Sequence, residues 1–179
     1  MNIKLETERL YFRPFELSDA EDFLKMDSNP NVHKYLWQKP TQSIEEMIEV
    51  IQHLQKQYDE NKIGRYATFL KDSGEFIGWT GIKYINDHVE NGKTNFYDYG
   101  YRLDEEHWNK GFATEATKFW LNYGFNVMNI EEMNAYTHYD NGASNRVLTK
   151  NGFQFMEDYL DEHGTPWKWW QLLKSDFRN

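Results

Sequence analysis

Residues 98–116 read D-Y-G-Y-R-L-D-E-E-H-W-N-K-G-F-A-T-E-A, and no other stretch limits the fold so tightly. Residues 94–103 alternate and are rich in Tyr and Phe, which marks a strand. The run breaks at Asp104-Glu105-Glu106. From Lys110-Gly111-Phe112-Ala113-Thr114 a helical pattern opens, with Ala116, Phe119, Trp120, Tyr123 and Val127 on one face. The spacing predicts a strand, a glycine turn and a helix N-terminus in direct succession. Such an N-terminus offers unpaired N–H groups and the positive end of the helix dipole, both favourable to an anion. Gly111 can take dihedrals closed to other residues, and Ala113 keeps bulk away from a ligand. Lys110 adds a cation. A glycine turn that binds nothing fits the same residues, and the pattern is neither G-x-x-x-x-G-K-[ST] nor G-x-G-x-x-G.

Around this element the chain reads as alternating strands and helices. Residues 5–15 predict a first strand ended by Arg13-Pro14, and Ser18 an N-cap for a short helix carrying Ala20, Phe23 and Leu24. Residues 28–42 form a loop with His33, Tyr35 and Trp37. Exposed loops with Tyr and Trp often contact ligands, although Val32, Leu36 and Trp37 equally fit a loop docked on the core. Ser43, with Glu46 three residues on, caps a long helix whose stripe Ile44, Met47, Ile48, Ile51, Leu54 and Tyr58 belongs to the core. Residues 65–71 and 76–86 predict a hairpin, with Gly78 and Gly81 at a bulge or close backbone approach. Asn91-Gly92 turns the chain into the central strand. After the central helix, residues 133–139 predict a strand, and strand–helix–strand implies a parallel pair. A short helix over 143–150 with Gly152 at its end, and a final hairpin over 153–160 and 167–173, complete the chain.

Composition narrows the chemistry. A chain of 179 residues suits one domain over 1–179. With no cysteine, disulfides, thiolate catalysis and Cys-ligated zinc are excluded. The histidines (33, 53, 88, 107, 138, 163) are scattered, with no H-x-x-x-H pair, so no metal is expected. The net charge of −9 argues against nucleic acid and suits a cationic partner such as an amine, although solubility alone accounts for it. No apolar run approaches a membrane span or a signal segment, so a cytoplasmic protein, monomer or homodimer, is expected.

A second motif, N-G-A-S-N-R-V-L-T-K-N-G-F, covers residues 141–153. Asn141 and Ser144, three apart at a helix start, can face one groove. They also fit a purely local role in capping that helix. The stretch 98–116 resembles the central motif of GNAT-superfamily N-acetyltransferases, specifically the RimJ/RimL-like branch, which often reads E-I-G-Y-W-L-D-P-E-Y-W-G-K-G-Y-A-T-E-A. The superfamily loop is usually written [QR]-x-x-G-x-[GA], and Trp108 stands where Gln or Arg is usual. Residues 141–153 are similar to the branch's N-x-x-S-x-R-V-L-x-K-x-G-F, and E-T-E-R-L to its usual opening.

The resemblance implies an α/β fold with a mixed, mostly antiparallel central sheet, one splayed parallel strand pair and flanking helices. Acetyl-CoA would be the co-substrate, its pantetheine arm bonded to the strand end from Tyr101 to Leu103. Its pyrophosphate would lie on the amides of Asn109, Lys110, Gly111, Phe112, Ala113 and Thr114. Glu115 would answer the helix dipole. Asp98 would be the base, acting through water, or else a strand carboxylate paired with a cation such as Arg102. Ser144, or Tyr139 as its rival, would protonate the leaving thiolate, and Asn141 would fix the pantetheine or a water. Tyr35, Trp37 and Trp167 would wall the acceptor side. The acceptor would be a protein N-terminal α-amine or a small amine. An α-amine is roughly a quarter neutral at pH 7.4, against about 0.1% for lysine, so it needs little base. The alternative is a non-catalytic acyl-CoA-binding module of the same fold, favoured if Asp98 and Ser144 face away from the groove.

Overall fold

In a computed structural model, which describes residues 5–36 and 39–178, those residues form seven strands and four α-helices. In chain order these are β1 (Leu10–Arg13), α1 (Ala20–Asp27), α2 (Ile44–Asn61), β2 (Arg65–Leu70), β3 (Phe76–Ile85) and β4 (Phe96–Leu103). They continue as α3 (Phe112–Asn122), β5 (Glu132–His138), α4 (Gly142–Lys150), β6 (Gln154–Leu160) and β7 (Pro166–Leu173). The strands make one sheet in the order β1-β2-β3-β4-β5-β7-β6. Every neighbouring pair is antiparallel except β4–β5. This is the expected mixed sheet.

The parallel pair sets the architecture. β3 and β4 stay in register from Gly78–Leu103 to Ile85–Phe96, whereas β4 and β5 register only at Asp98–Asn134. Beyond that pair the two strands separate. Gly78 holds the β3–β4 side tight: its φ is +134°, and a Cβ there would lie 2.1 Å from the Arg102 carbonyl oxygen.

Alternation along the strands divides the core between two faces. Tyr99 and Leu103 of β4, with Met133 and Ala135 of β5, pack with Trp120 and Leu121 of α3 and Leu148 of α4. Phe23 and Met26 of α1 and Met47 and Ile51 of α2 pack with Ala67, Phe69 and Phe76 in a second cluster. Ser43 caps α2 as expected, its Oγ accepting from the Glu46 N–H at 3.1 Å.

Three local expectations are corrected. Residues 5–15 are not one strand. The Thr7 hydroxyl accepts from the Leu10 N–H at 2.9 Å and closes a turn that folds the chain back, so Leu5 accepts from the Phe12 N–H at 2.8 Å. Ser18 is not an N-cap; residues 17–19 make a 3₁₀ turn, and the Asp19 carboxylate accepts from the Glu16 N–H at 2.8 Å. Val127 leaves the core face: residues 123–127 wind as a π-helical segment, which buries Phe125 and leaves Val127 45% exposed. Among the described residues no helix is long and apolar enough to cross a membrane.

Candidate active site

A cavity of about 490 Å³ opens where β4 and β5 part. Its lining draws on both faces of the sheet. On one side are Asn109, Gly111, Phe112, Ala113 and Thr114 at the start of α3, facing Ala143, Arg146, Val147 and Lys150 of α4. On the other are Asn31, Val32, Tyr35, Leu36, Trp79 and Arg102. Tyr101 and Leu103 of β4, with Asn141 and Ser144 at the start of α4, also line it.

Physical necessity shapes the α3 end. After β4, residues 105–107 make a 3₁₀ turn, and the Trp108 indole N–H donates to the Leu103 carbonyl at 2.8 Å. Trp108 thus ties the strand end to the turn, at the position where the motif usually has Gln or Arg. Asn109 (φ +59°) and Gly111 (φ +85°) are both left-handed and curl the chain into the first turn of α3. The N–H groups of a helix start are exposed to a cavity that carries Arg146 and Lys150 opposite. That donor set fits the pyrophosphate of coenzyme A. Lys110 needs correcting: it is exposed and absent from the lining, and only its carbonyl is engaged, by Arg9. The cations are Arg146 and Lys150, missed in the sequence although R-V-L-T-K sets them four apart on one helix face.

Ser144 and Asn141 are brought together as expected. The Asn141 Oδ1 accepts from the Ser144 N–H at 3.1 Å, capping α4, and its amide NH₂ is left for the cavity. The Tyr101 hydroxyl donates to Ser144 Oγ at 3.3 Å, and burial pushes the Tyr101 phenol up against the opposing effect of that hydrogen bond. Tyr139 is elsewhere: it is 48% exposed, with Lys168 Nζ 4.2 Å from its ring centroid, and does not line the cavity. The tyrosine beside Ser144 is Tyr101.

Asp98 is also outside the lining. It is 2% exposed and ion-paired with Arg65, not Arg102. Arg65 of β2 reaches it across Gly81 and Gly100, where a Cβ on Gly100 would lie 2.7 Å from Arg65 Nη2. Burial pushes the Asp98 carboxyl up, and Arg65 and then Lys83 oppose the shift. Arg102 pairs with Asp27 of α1, which also accepts from the Thr41 hydroxyl at 2.7 Å and lies 3.3 Å from His33 Nε2.

The loop after α1 is joined to the turn before α3, since the Asn29 and Asn31 amides both donate to the Glu105 carboxylate at 2.9 Å. Tyr35 lines the cavity and its ring lies 5.6 Å from that of His138, which meets Trp167 edge-on at 5.8 Å. Trp167 therefore stands behind the wall rather than in it, and its indole N–H donates to Asp161 at 3.0 Å. Trp37 lies outside the described residues.

A family model described as an acetyltransferase (GNAT) domain matches residues 9–154. The chain belongs to the GNAT acetyltransferase family. This GNAT protein is 34% identical over 166 residues to the uncharacterised N-acetyltransferase YoaA of Bacillus subtilis, with 91% of each chain covered. Among solved structures, a spermidine N-acetyltransferase of Vibrio cholerae in complex with CoA and spermine matches with a TM-score of 0.76 at 20% identity, covering 97% of this chain and all of that one. A ribosomal-protein-S5-alanine acetyltransferase of Vibrio fischeri also gives 0.76, at 19% identity over 99% of this chain and 100% of the other. These two carry the fold. With the family model and the relatives it makes this GNAT protein an acetyl-CoA-dependent acetyltransferase.

Proposed function

We propose that the enzyme moves the acetyl group to the neutral nitrogen of a primary amine, and that this acceptor is a protein or peptide N-terminal α-amine rather than a polyamine. One observation carries the choice. Among the described residues that line the cleft there is no carboxylate; the ionised side chains are Arg102, Arg146 and Lys150. A polyamine keeps several positive charges and needs anionic partners, whereas a single α-amine is roughly a quarter neutral at pH 7.4. The reading agrees with the RimJ/RimL-like character of the two motifs.

In the reaction the amine nitrogen attacks the thioester carbonyl carbon, the carbon–sulfur bond breaks, and the thiolate takes a proton. Ser144 supplies it. Because the Tyr101 hydroxyl donates to Ser144 Oγ, the Ser144 proton is free to point into the cleft. Tyr101 stays neutral because burial disfavours tyrosinate. Asp98, sealed against Arg65, holds the point where the strands part, and the amine's proton goes to solvent. Arg146, Lys150 and the α3 amides hold the phosphates, while Tyr35, backed by His138 and Trp167, walls the acceptor side.

The test is thiol release from acetyl-CoA with three acceptors: peptides with free N-termini and varied first residues, the same peptides N-terminally blocked but carrying a lysine, and spermidine. Release with the free N-termini alone is expected. Faster release with spermidine overturns the acceptor, and release with none overturns amine transfer.

A further inference from the structure

Arg9 lies 101 positions before the turn that opens α3, yet one side chain engages most of it. Its Nη1 donates to the Lys110 carbonyl at 3.0 Å and its Nε to Glu115 Oε2 at 2.7 Å. Its guanidinium carbon sits 4.4 Å from the centroid of the Phe112 ring. The Arg9 N–H and the Thr7 hydroxyl both donate to Glu115 Oε1, at 2.9 and 2.6 Å. Arg9 is not among the residues lining the cavity.

Two consequences follow from elementary chemistry. A trans peptide is planar, so its C=O and N–H point in opposite directions. Holding the Lys110 carbonyl on Arg9 therefore aims the Gly111 N–H the other way, and Gly111 lines the cleft. Glu115, in the first turn of α3, would otherwise repel a phosphate at that helix start. Arg9 neutralises that charge, and the Thr7 hydroxyl and the Arg9 N–H hold it by hydrogen bonds.

We infer that Arg9 is a positioning residue for the phosphate turn, orienting the Lys110–Gly111 peptide and neutralising Glu115 without itself contacting coenzyme A. The inference rests on the reading that the turn holds coenzyme A. Arg9 has a 45% exposed side chain, so Arg9→Ala leaves the core intact. Calorimetry with coenzyme A and NMR titration with pantetheine, which lacks the phosphates, separate the possibilities. Arg9→Ala is expected to weaken coenzyme A about tenfold, the scale of one charged hydrogen bond, and to leave pantetheine unchanged. Glu115→Gln, which loosens Arg9, is expected to weaken coenzyme A as well, by a smaller factor. Unchanged coenzyme A affinity in Arg9→Ala overturns the inference, as does equal weakening of both ligands, the mark of a general structural role. Tighter coenzyme A binding in Glu115→Gln also overturns it, because Arg9 would then be a direct phosphate ligand. A wild-type protein that binds neither ligand removes the coenzyme A site itself, and the inference with it.

Discussion

The two ends of the cleft are built from different materials. The α3 end is one continuous piece of chain, residues 109–114, which offers backbone N–H groups and is braced by Arg9. The opposite end is assembled from side chains of separate segments: Asn31 and Tyr35 in a loop, Trp79 on β3 and Arg102 on β4, with His138 and Trp167 behind. A backbone site depends on glycine, helix start and peptide orientation, so most substitutions nearby leave it alone. A side-chain site changes with each residue, which is what an acceptor-specific surface requires. The difference teaches where variation should alter substrate and where it should abolish binding.

The largest effect is expected where the two ends meet. Ser144→Ala should lower kcat by ~10²–10⁴-fold with little change in coenzyme A affinity, because the proton transfer matters only in the transition state. Tyr101→Phe should lower kcat less, and Tyr139→Phe should leave it near wild type; steady-state kinetics of all three decides which hydroxyl acts.

At the side-chain end, Arg102→Met strands the buried Asp27 carboxylate and should cost about 3–5 kcal/mol in urea denaturation. The double change Arg102→Met with Asp27→Leu should recover most of it. If Arg102→Met alone is neutral, the pair does not hold the acceptor wall.

At the backbone end, Gly111→Val forces a branched side chain to φ +85° and should cost on the order of 1–3 kcal/mol of strain at that turn. Calorimetry should show weaker coenzyme A binding by a protein whose circular dichroism is unchanged. Tyr35→Ala should do the opposite, raising the acceptor KM a few-fold, the scale of one lost aromatic contact, and sparing coenzyme A.

The smallest effect is in acid. Burial works against the Glu115 charge, but the Thr7 hydroxyl, the Arg9 N–H and the Arg9 guanidinium outweigh it and hold the carboxyl below its usual value. A carboxyl depressed in the folded state adds stability above its unfolded value of about 4.3, and that contribution disappears as pH falls through the lower folded value. The stability difference between wild type and Glu115→Gln should therefore be flat near neutrality and shrink in acid. A difference that grows on acidification would contradict the sign.

The same contrast decides what was legible in the sequence. The strand, glycine turn and helix over 98–116 were readable because each feature acts on its neighbours, and so was the parallel pair, from strand–helix–strand order. Asn141 and Ser144 were placed together by three-residue spacing. Long-range charge pairing was not readable. Arg102 is closer in sequence to Asp98 than Arg65 is, yet Asp98 pairs with Arg65 because Gly81 and Gly100 clear a path across β3 and β4. Arg102 pairs instead with Asp27, 75 positions away, and Arg9 with Glu115, 106 positions away. Tyr101 read as part of the strand end that bonds the pantetheine arm, but its hydroxyl had no readable role, since only the fold shows Ser144 beside it.

The most direct test is hydrogen exchange with and without coenzyme A. Protection is predicted in residues 109–114 and at the start of α4, with residues 28–36 little changed. Protection concentrated in 28–36, with 109–114 exchanging as in the free protein, would place the cofactor at the wrong end of the cleft and contradict the account.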